Sequence, residues 1–267
     1  MKLMNLKVLY FSPVGTTKKV AEMIADGLEV ESVDWIDLSV PSNRMDGLIF
    51  SADDVVLMAF PVYAGRVVRV PRYYFKQIEG NGARSITVVT YGNRAYDDAL
   101  LELSRLSAKS GFEQVAAAAF VCEHSFDIGL AAGRPDISDC DIAVSFGKTI
   151  KQRLLDGKVG PKMEGIIDTI PGQFPFRTQF RHDFGGPLVP ETSEDCINCG
   201  KCAKHCPVEA IPLGNPMVTD SKKCITCYRC IRHCPVQARK INLPDFIDHA
   251  EWLADNYKTR KEPELYL

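Results

Sequence analysis

No apolar run in this 267-residue chain approaches the roughly 18–20 residues needed to span a bilayer. The longest, Val115 to Cys122, suits one buried strand. The start, MKLMNLKVLYFSP, lacks the long apolar region and small-residue cleavage site of a signal peptide. An excess of one charge is missing too: a net charge of −2 points neither to nucleic acid nor to a strongly anionic surface. No G-x-G-x-x-G follows an apolar run, so no nicotinamide-binding domain is announced. There is no Ser/His/Asp set, paired-carboxylate pattern or cysteine nucleophile that would demand a bond-making site. What the chain does have is cysteine. Ten of them without a secretory leader point towards metal and away from disulfides, and a cytoplasmic protein is expected.

The length is comfortable for two domains, and 46% hydrophobic with 25% charged residues is an ordinary globular balance. Residues 1–158 alternate short apolar runs with amphipathic stretches. LKVLYFS (6–12), DVVLMAF (54–60), SITVVTY (85–91) and FEQVAAAAFV (112–121) read as buried strands, and the less apolar VESVDWI (30–36) as a fifth nearer an edge. Residues 16–28, 67–79, 96–110 and 138–156 carry helical spacing. Such alternation predicts an α/β domain with a doubly wound, parallel five-stranded sheet covered on both faces. Residues 159–190 hold five prolines with Phe174, Phe176, Phe180 and Phe184. That is too aromatic for a free tether, so the segment is expected to pack between domains. Residues 191–267 form a cysteine-rich unit ending in LPDFIDHAEWLADNY (243–257), where Phe246, Ala250, Leu253 and Tyr257 share one face of a docking helix.

CINCGKCAKHCPVEA (196–210) and CITCYRCIRHCPVQA (224–238) are one pattern written twice, 28 residues apart. The repeat implies two half-units related by approximate two-fold symmetry. Each run reads C-x2-C-x2-C-x3-C-P and resembles the bacterial two-cluster ferredoxins. Structural zinc is the alternative, although its ligands usually come as two separated pairs. The ferredoxin resemblance implies that the fourth cysteine of each run serves the other cluster. Cys196, Cys199, Cys202 and Cys234 would then hold one [4Fe–4S] centre, and Cys224, Cys227, Cys230 and Cys206 the other, in a small α+β domain. Cys122 and Cys140 lie outside both runs and read as inert buried thiols.

In a doubly wound sheet, ligands bind at the carboxyl ends of the strands. Three loops belong there. SPVGTTKK opens a helix with hydroxyls, a glycine and unpaired N–H groups suited to a phosphate, although a plain helix cap has the same look. PVYAGRV (61–67) and YGNRAYDD (91–98) are both aromatic and glycine-containing. Together they describe a site for a planar heterocycle with a phosphorylated tail.

FSPVGTT, FPVYAGRV and VVTYGNRAYDDAL make residues 6–156 resemble a flavodoxin. With the cysteine runs, the whole chain is similar to the fused flavodoxin–ferredoxin proteins found mainly in anaerobes. The resemblance implies FMN, with its phosphate at Ser12, Val14 (through the backbone), Gly15, Thr16 and Thr17. It places the isoalloxazine between Pro61, Val62, Tyr63, Ala64, Gly65 and Arg66 on one side and Tyr91, Gly92, Asn93, Arg94 and Tyr96 on the other. His124 is a candidate third wall. Val14 stands where a threonine is common, and the second loop lacks the tryptophan often stacked on the ring, which leaves Tyr63 or Tyr96. Arg66 and Arg94 are expected to stabilise reduced flavin and raise its potential.

One FMN with two clusters describes a relay between two-electron and one-electron chemistry, serving an external redox partner protein. The alternative is a reductase whose small substrate docks on the FMN, lined by Tyr63, Arg66, Arg94 and His124. Between Lys222 and Lys240 there are six Lys/Arg residues and no Asp or Glu, which reads as an outward docking face for an acidic partner.

Overall fold

The computed structural model describes residues 5–44, 46–126, 128–167 and 188–267. The first domain runs β1 (Asn5–Tyr10), α1 (Thr16–Leu28), β2 (Ser32–Asp37), β3 (Val55–Tyr63), α2 (Arg69–Tyr74), β4 (Arg84–Tyr91), α3 (Ala99–Lys109), β5 (Glu113–Val121) and α4 (Ile137–Leu155). Its parallel strands lie in the order β2-β1-β3-β4-β5. This is the flavodoxin-like order, whose crossover between β1 and β3 opens a crevice at the strands' carboxyl ends.

Strand alternation divides the interior into two cores. Leu6, Val8 and Tyr10 face α1 and α4, while Leu9 and Phe11 face the layer of α2 and α3. On the first face the two helices meet backbone to backbone. A Cβ on Gly27 would lie 2.1 Å from the Val144 carbonyl oxygen, and one on Gly147 would lie 2.3 Å from that of Ile24. β2 is half-exposed and forms an edge, as its weaker apolar pattern predicts.

The other edge departs from expectation. β5 is an alanine run, completely buried from Val115 to Val121. Small side chains leave such an edge flat and open to pairing. Two later segments cover it. Gly160 donates to the Gln114 carbonyl and lies against Val115, where no Cβ would fit. The chain's last strand, β6 (Glu264–Tyr266), pairs antiparallel with Ala117–Ala119. The five parallel strands thus gain this strand and a two-residue ribbon at Arg66–Val67. The predicted packing of Phe174 to Phe184 lies outside the described residues.

The second domain contains a two-residue ribbon, Glu191–Thr192 with Arg239–Lys240, and two single-turn helices, α5 (Lys201–Lys204) and α6 (Arg229–Arg232). The helix α7 (Pro244–Asn256) buries Phe246, Ala250 and Leu253 on one side, as the spacing predicts. The duplication shows in the backbone. Asn198, Gly200 and Glu209 have left-handed φ, and so do Thr226, Tyr228 and Gln237, each 28 residues on. The helix-capping position held by Gly200 (φ 69°) is held by Tyr228 (φ 63°) in the second half.

Candidate functional site

The fourth cysteine of the first run is brought to the three leading cysteines of the second. Cys206, Cys224, Cys227 and Cys230 line one small apolar cavity, closed by Pro190, Pro207, Ile211, Thr219 and Tyr228. No three His, Cys, Asp or Glu side chains among the described residues converge on a single-ion position; these four sulfurs surround a volume. Burial pushes the Cys227 thiol up to about 12 and Cys230 to about 11. Backbone N–H groups point at the sulfurs: Ala210 donates to Cys206 Sγ and Ala238 to Cys234 Sγ, both at 3.2 Å, at matching places in the two halves. The other set, Cys196, Cys199, Cys202 and Cys234, is more open, and Cys199 is exposed. The two halves also touch through His205 and His233, stacked with centroids 6.3 Å apart.

The loop before α1 has the features of an anion cradle. Gly15 takes φ 95° and has open space where a side chain would stand. The first-turn amides of this 13-residue helix have no intrahelical carbonyl to reach. Ser12 is buried; its Oγ accepts from the Lys18 amide at 3.0 Å, which leaves its own proton to donate. The threonines behave differently from expectation. The Thr17 hydroxyl bonds that of Thr90 at 2.7 Å, and Thr16 bonds the buried thiol of Cys122. Both anchor the loop to the sheet and leave their amides for a ligand.

The segment after β3 is a tight hairpin. Val62 pairs with Val67 and Tyr63 with Arg66, while Ala64 and Gly65 are both left-handed at φ 52° and 73°, as a two-residue primed turn requires. Arg66 forks onto Glu102 of α3, which also accepts from the Val67 amide at 2.9 Å and lies 3.6 Å from Arg72. Arg94 pairs with Asp97. The two arginines expected to bring positive charge to the ring are therefore both matched by carboxylates. Sequence spacing could not show this for Glu102, 36 residues away.

The loop after β4 is held by the chain's tail, which the sequence reading missed. Gly92 lies against the His124 ring, 2.2 Å from a would-be Cβ. Asn93 donates to the carbonyls of Tyr257 at 2.6 Å and Thr259 at 2.9 Å. Lys261 reaches the Arg94 carbonyl. The Tyr96 hydroxyl bonds Glu264 at 2.6 Å and Tyr266 at 2.9 Å. Tyr91 and Tyr96 meet edge to face with centroids 5.4 Å apart. Asn93 Oδ1 and Asp98 Oδ2 are buried without a hydrogen-bond partner, so this loop has unmet polar capacity that a polar heterocycle fits. Burial pushes the His124 imidazole down to about 4, and its Nδ1 accepts from the Phe126 amide, which puts the ring proton on Nε2.

These loops and the second cysteine run meet. Tyr63 is half-exposed by surface yet closely surrounded. Burial drives its hydroxyl well above the usual range, and the Cys227 and Cys224 sulfurs add to the rise. Ile225 packs into the first domain's core. Arg69 donates to the Lys223 carbonyl at 3.3 Å and Arg44 to that of Pro207 at 2.7 Å. Arg232 grips the loop after β5, bonding Glu123 at 2.8 Å and the carbonyls of His124 and Ser125 at 2.9 and 3.2 Å. Phe126, Tyr228 and Phe246 complete an aromatic cluster between the domains. The middle of the run, Cys227 and Tyr228, is thus buried, while His233 and Pro235 at its end are exposed. Of its six basic neighbours, Arg229 and Arg232 are partly covered and Arg239 is buried; Lys222, Lys223 and Lys240 are exposed.

Residues 193–238 match the family model described as a 4Fe-4S dicluster domain. No curated protein matches the chain. Among solved structures, the chain is similar to a flavodoxin from the domain Archaea (16% identity, TM-score 0.39, covering 57% of this chain and 99% of that one). It is also similar to the flavodoxin of Streptococcus pneumoniae TIGR4 (18%, 0.40, 56% and 99%). A third is rubredoxin oxygen:oxidoreductase from Desulfovibrio gigas (14%, 0.39, 58% and 37%). At these scores the fold rests on the strand order of the chain itself. Among the described residues no helix is long and apolar enough to cross a membrane.

Proposed function

We propose, on the premise of a flavodoxin-like α/β domain joined to a 4Fe–4S dicluster domain, that the chain relays electrons within itself between FMN and two [4Fe–4S] clusters, and exchanges them with an external redox protein. One observation carries this reading. Tyr63, on the hairpin proposed to face the flavin (Pro61–Arg66), is within electrostatic reach of the Cys227 and Cys224 sulfurs of the inner cysteine set, and Ile225 of the same run packs on the core that Tyr63 and Val62 also cover.

That set is the inner cluster site; Cys196, Cys199, Cys202 and Cys234 form the outer one. In this assignment FMN supplies exchange of one or two electrons, and each cluster of one. The chain's own residues hold the parts in series. Ser12, Gly15 and the amides of Val14, Thr16 and Thr17 would take the phosphate. The hairpin and the 91–96 loop would take the ring. Arg232, the Phe126–Tyr228–Phe246 cluster and the tail hold the second domain against both loops.

The exposed Cys199 edge then becomes the outward port, in place of the run that looked outward in the sequence. Lys222, Lys223 and Lys240 remain available to an acidic partner, whose binding would weaken with salt.

Anaerobic reconstitution followed by analysis of flavin, iron and sulfide tests the proposal. One FMN and two clusters per chain are expected, with Cys206→Ser removing the inner cluster and Cys234→Ser the outer. Loss of the outer cluster from Cys206→Ser and of the inner one from Cys234→Ser, told apart by electron paramagnetic resonance against Cys199→Ser and Cys227→Ser, would overturn the crosswise assignment, and absence of bound flavin would overturn the relay.

A further inference from the structure

Arg239 is 2% exposed, inside a domain too small to hide a charge without reason. Its two terminal nitrogens bond the Thr192 hydroxyl and the Pro216 carbonyl, both within 2.8 Å, and the Pro190 carbonyl and Thr219 hydroxyl. All four acceptors are neutral, so the cation is solvated by the protein but not cancelled. Its Nε is buried and has no partner. Pro190 and Thr219, which hold the guanidinium, also line the cavity of the inner cysteine set. The guanidinium acts electrostatically on the Cys230 and Cys224 sulfurs. The position 28 residues earlier is Ile211, so the duplication has no second copy of this charge.

We infer that Arg239 is a fixed counter-charge for the inner cluster, making it the site where the first electron rests. The inference depends on the two-cluster reading above. Adding one electron to a cluster raises its negative charge by one and makes or breaks no bond. A buried cation on one side only therefore favours the reduced form of the inner cluster over that of the outer. Exposure alone works the other way, because solvent stabilises the extra charge at the open Cys199 edge. The counter-charge places the electron next to the flavin loops instead of at the surface.

The test is an anaerobic redox titration of the holoprotein, reduced stepwise with dithionite and followed by electron paramagnetic resonance. Cys199→Ser identifies the outer cluster's signal by altering it alone. In the wild type, the first cluster to reduce should be the inner one. Arg239→Gln should shift the inner midpoint down by at least the equivalent of a tenfold change in its reduction equilibrium, about 59 mV for one electron. The outer midpoint should stay in place, and Arg239→Lys should restore most of the inner value. Arg229, which lines the same cavity from the domain interface, is left intact throughout.

An unshifted inner midpoint in Arg239→Gln, with iron content for two clusters, would overturn the inference and leave the relay standing. If the Gln variant fails to assemble, the wild-type order decides: first reduction at the outer cluster refutes the counter-charge. Iron content below two clusters in the wild type would instead refute the two-cluster reading itself.

Discussion

Tyr228 sits where a glycine belongs. Its φ of 63° is left-handed, and the equivalent residue in the first half is Gly200. A side chain in that conformation costs about 1–2 kcal/mol. The cost is offset by packing: Tyr228 is 6% exposed, 5.1 Å from Phe126 and 6.4 Å from Phe246 between centroids. Truncating a buried aromatic to alanine typically costs about 3–5 kcal/mol. Tyr228→Ala keeps the backbone strain and loses the contacts, so it should bear that full loss. Tyr228→Gly loses the same contacts and relieves the strain, so its loss should be about 1–2 kcal/mol smaller. The usual ranking, in which glycine is the worse replacement, is reversed. Native-state hydrogen exchange at the amides of α7 and of residues 123–126 reads the local opening free energy that this cluster sets. Equal protection in the two variants, or better protection in Tyr228→Ala, would refute the argument. So would unchanged protection in both.

Three further outcomes follow from the loops. Arg66→Ala should weaken FMN binding by freeing the hairpin from Glu102, while the midpoint of the flavin still bound moves little, because the charge removed was already paired; isothermal titration and a flavin redox titration separate the two. The His124 imidazole is held neutral down to about pH 4, against an ordinary value of 6.5. Its unfolded form thus binds the proton first, and stability should fall as pH drops from about 6.5 towards 4, by at most ~3 kcal/mol. The share due to His124 is the difference between wild type and His124→Gln in denaturation across that window, and identical slopes would refute it. Removing residues 262–267 should uncover Ala117–Ala119 and untie Tyr96, lowering FMN affinity and promoting self-association, as measured by flavin titration and sedimentation.

The five parallel strands and their helices were legible because burial on both faces writes long apolar runs, and the predicted span of residues 16–28 is the helix observed. The cysteine runs were legible because their spacing is chemistry in itself. Other features depend on distant partners, and those left no mark in the local pattern. Glu102 reads as an ordinary helix residue until its fold neighbours, Arg66 and Arg72, are in place. The basic run near Lys222 read whole as an outward docking face because spacing cannot say that Arg232 reaches back to Glu123 or that Arg239 is interior. β6 spans only three residues, too few for a periodic signal, and its role comes from the bare alanine edge of β5. Tyr228 could have been found: aligning the two runs sets a tyrosine against Gly200, and only strong packing holds a side chain there.

The central claim is that both cofactor domains of one molecule exchange electrons directly. Photoreduction of the flavin in anaerobic holoprotein, followed by time-resolved absorbance of flavin and clusters, tests it most directly. Flavin reoxidation should be matched by cluster reduction at a rate independent of protein concentration. A rate that rises in proportion to concentration, or flavin that stays reduced beside oxidised clusters of higher potential, would contradict it.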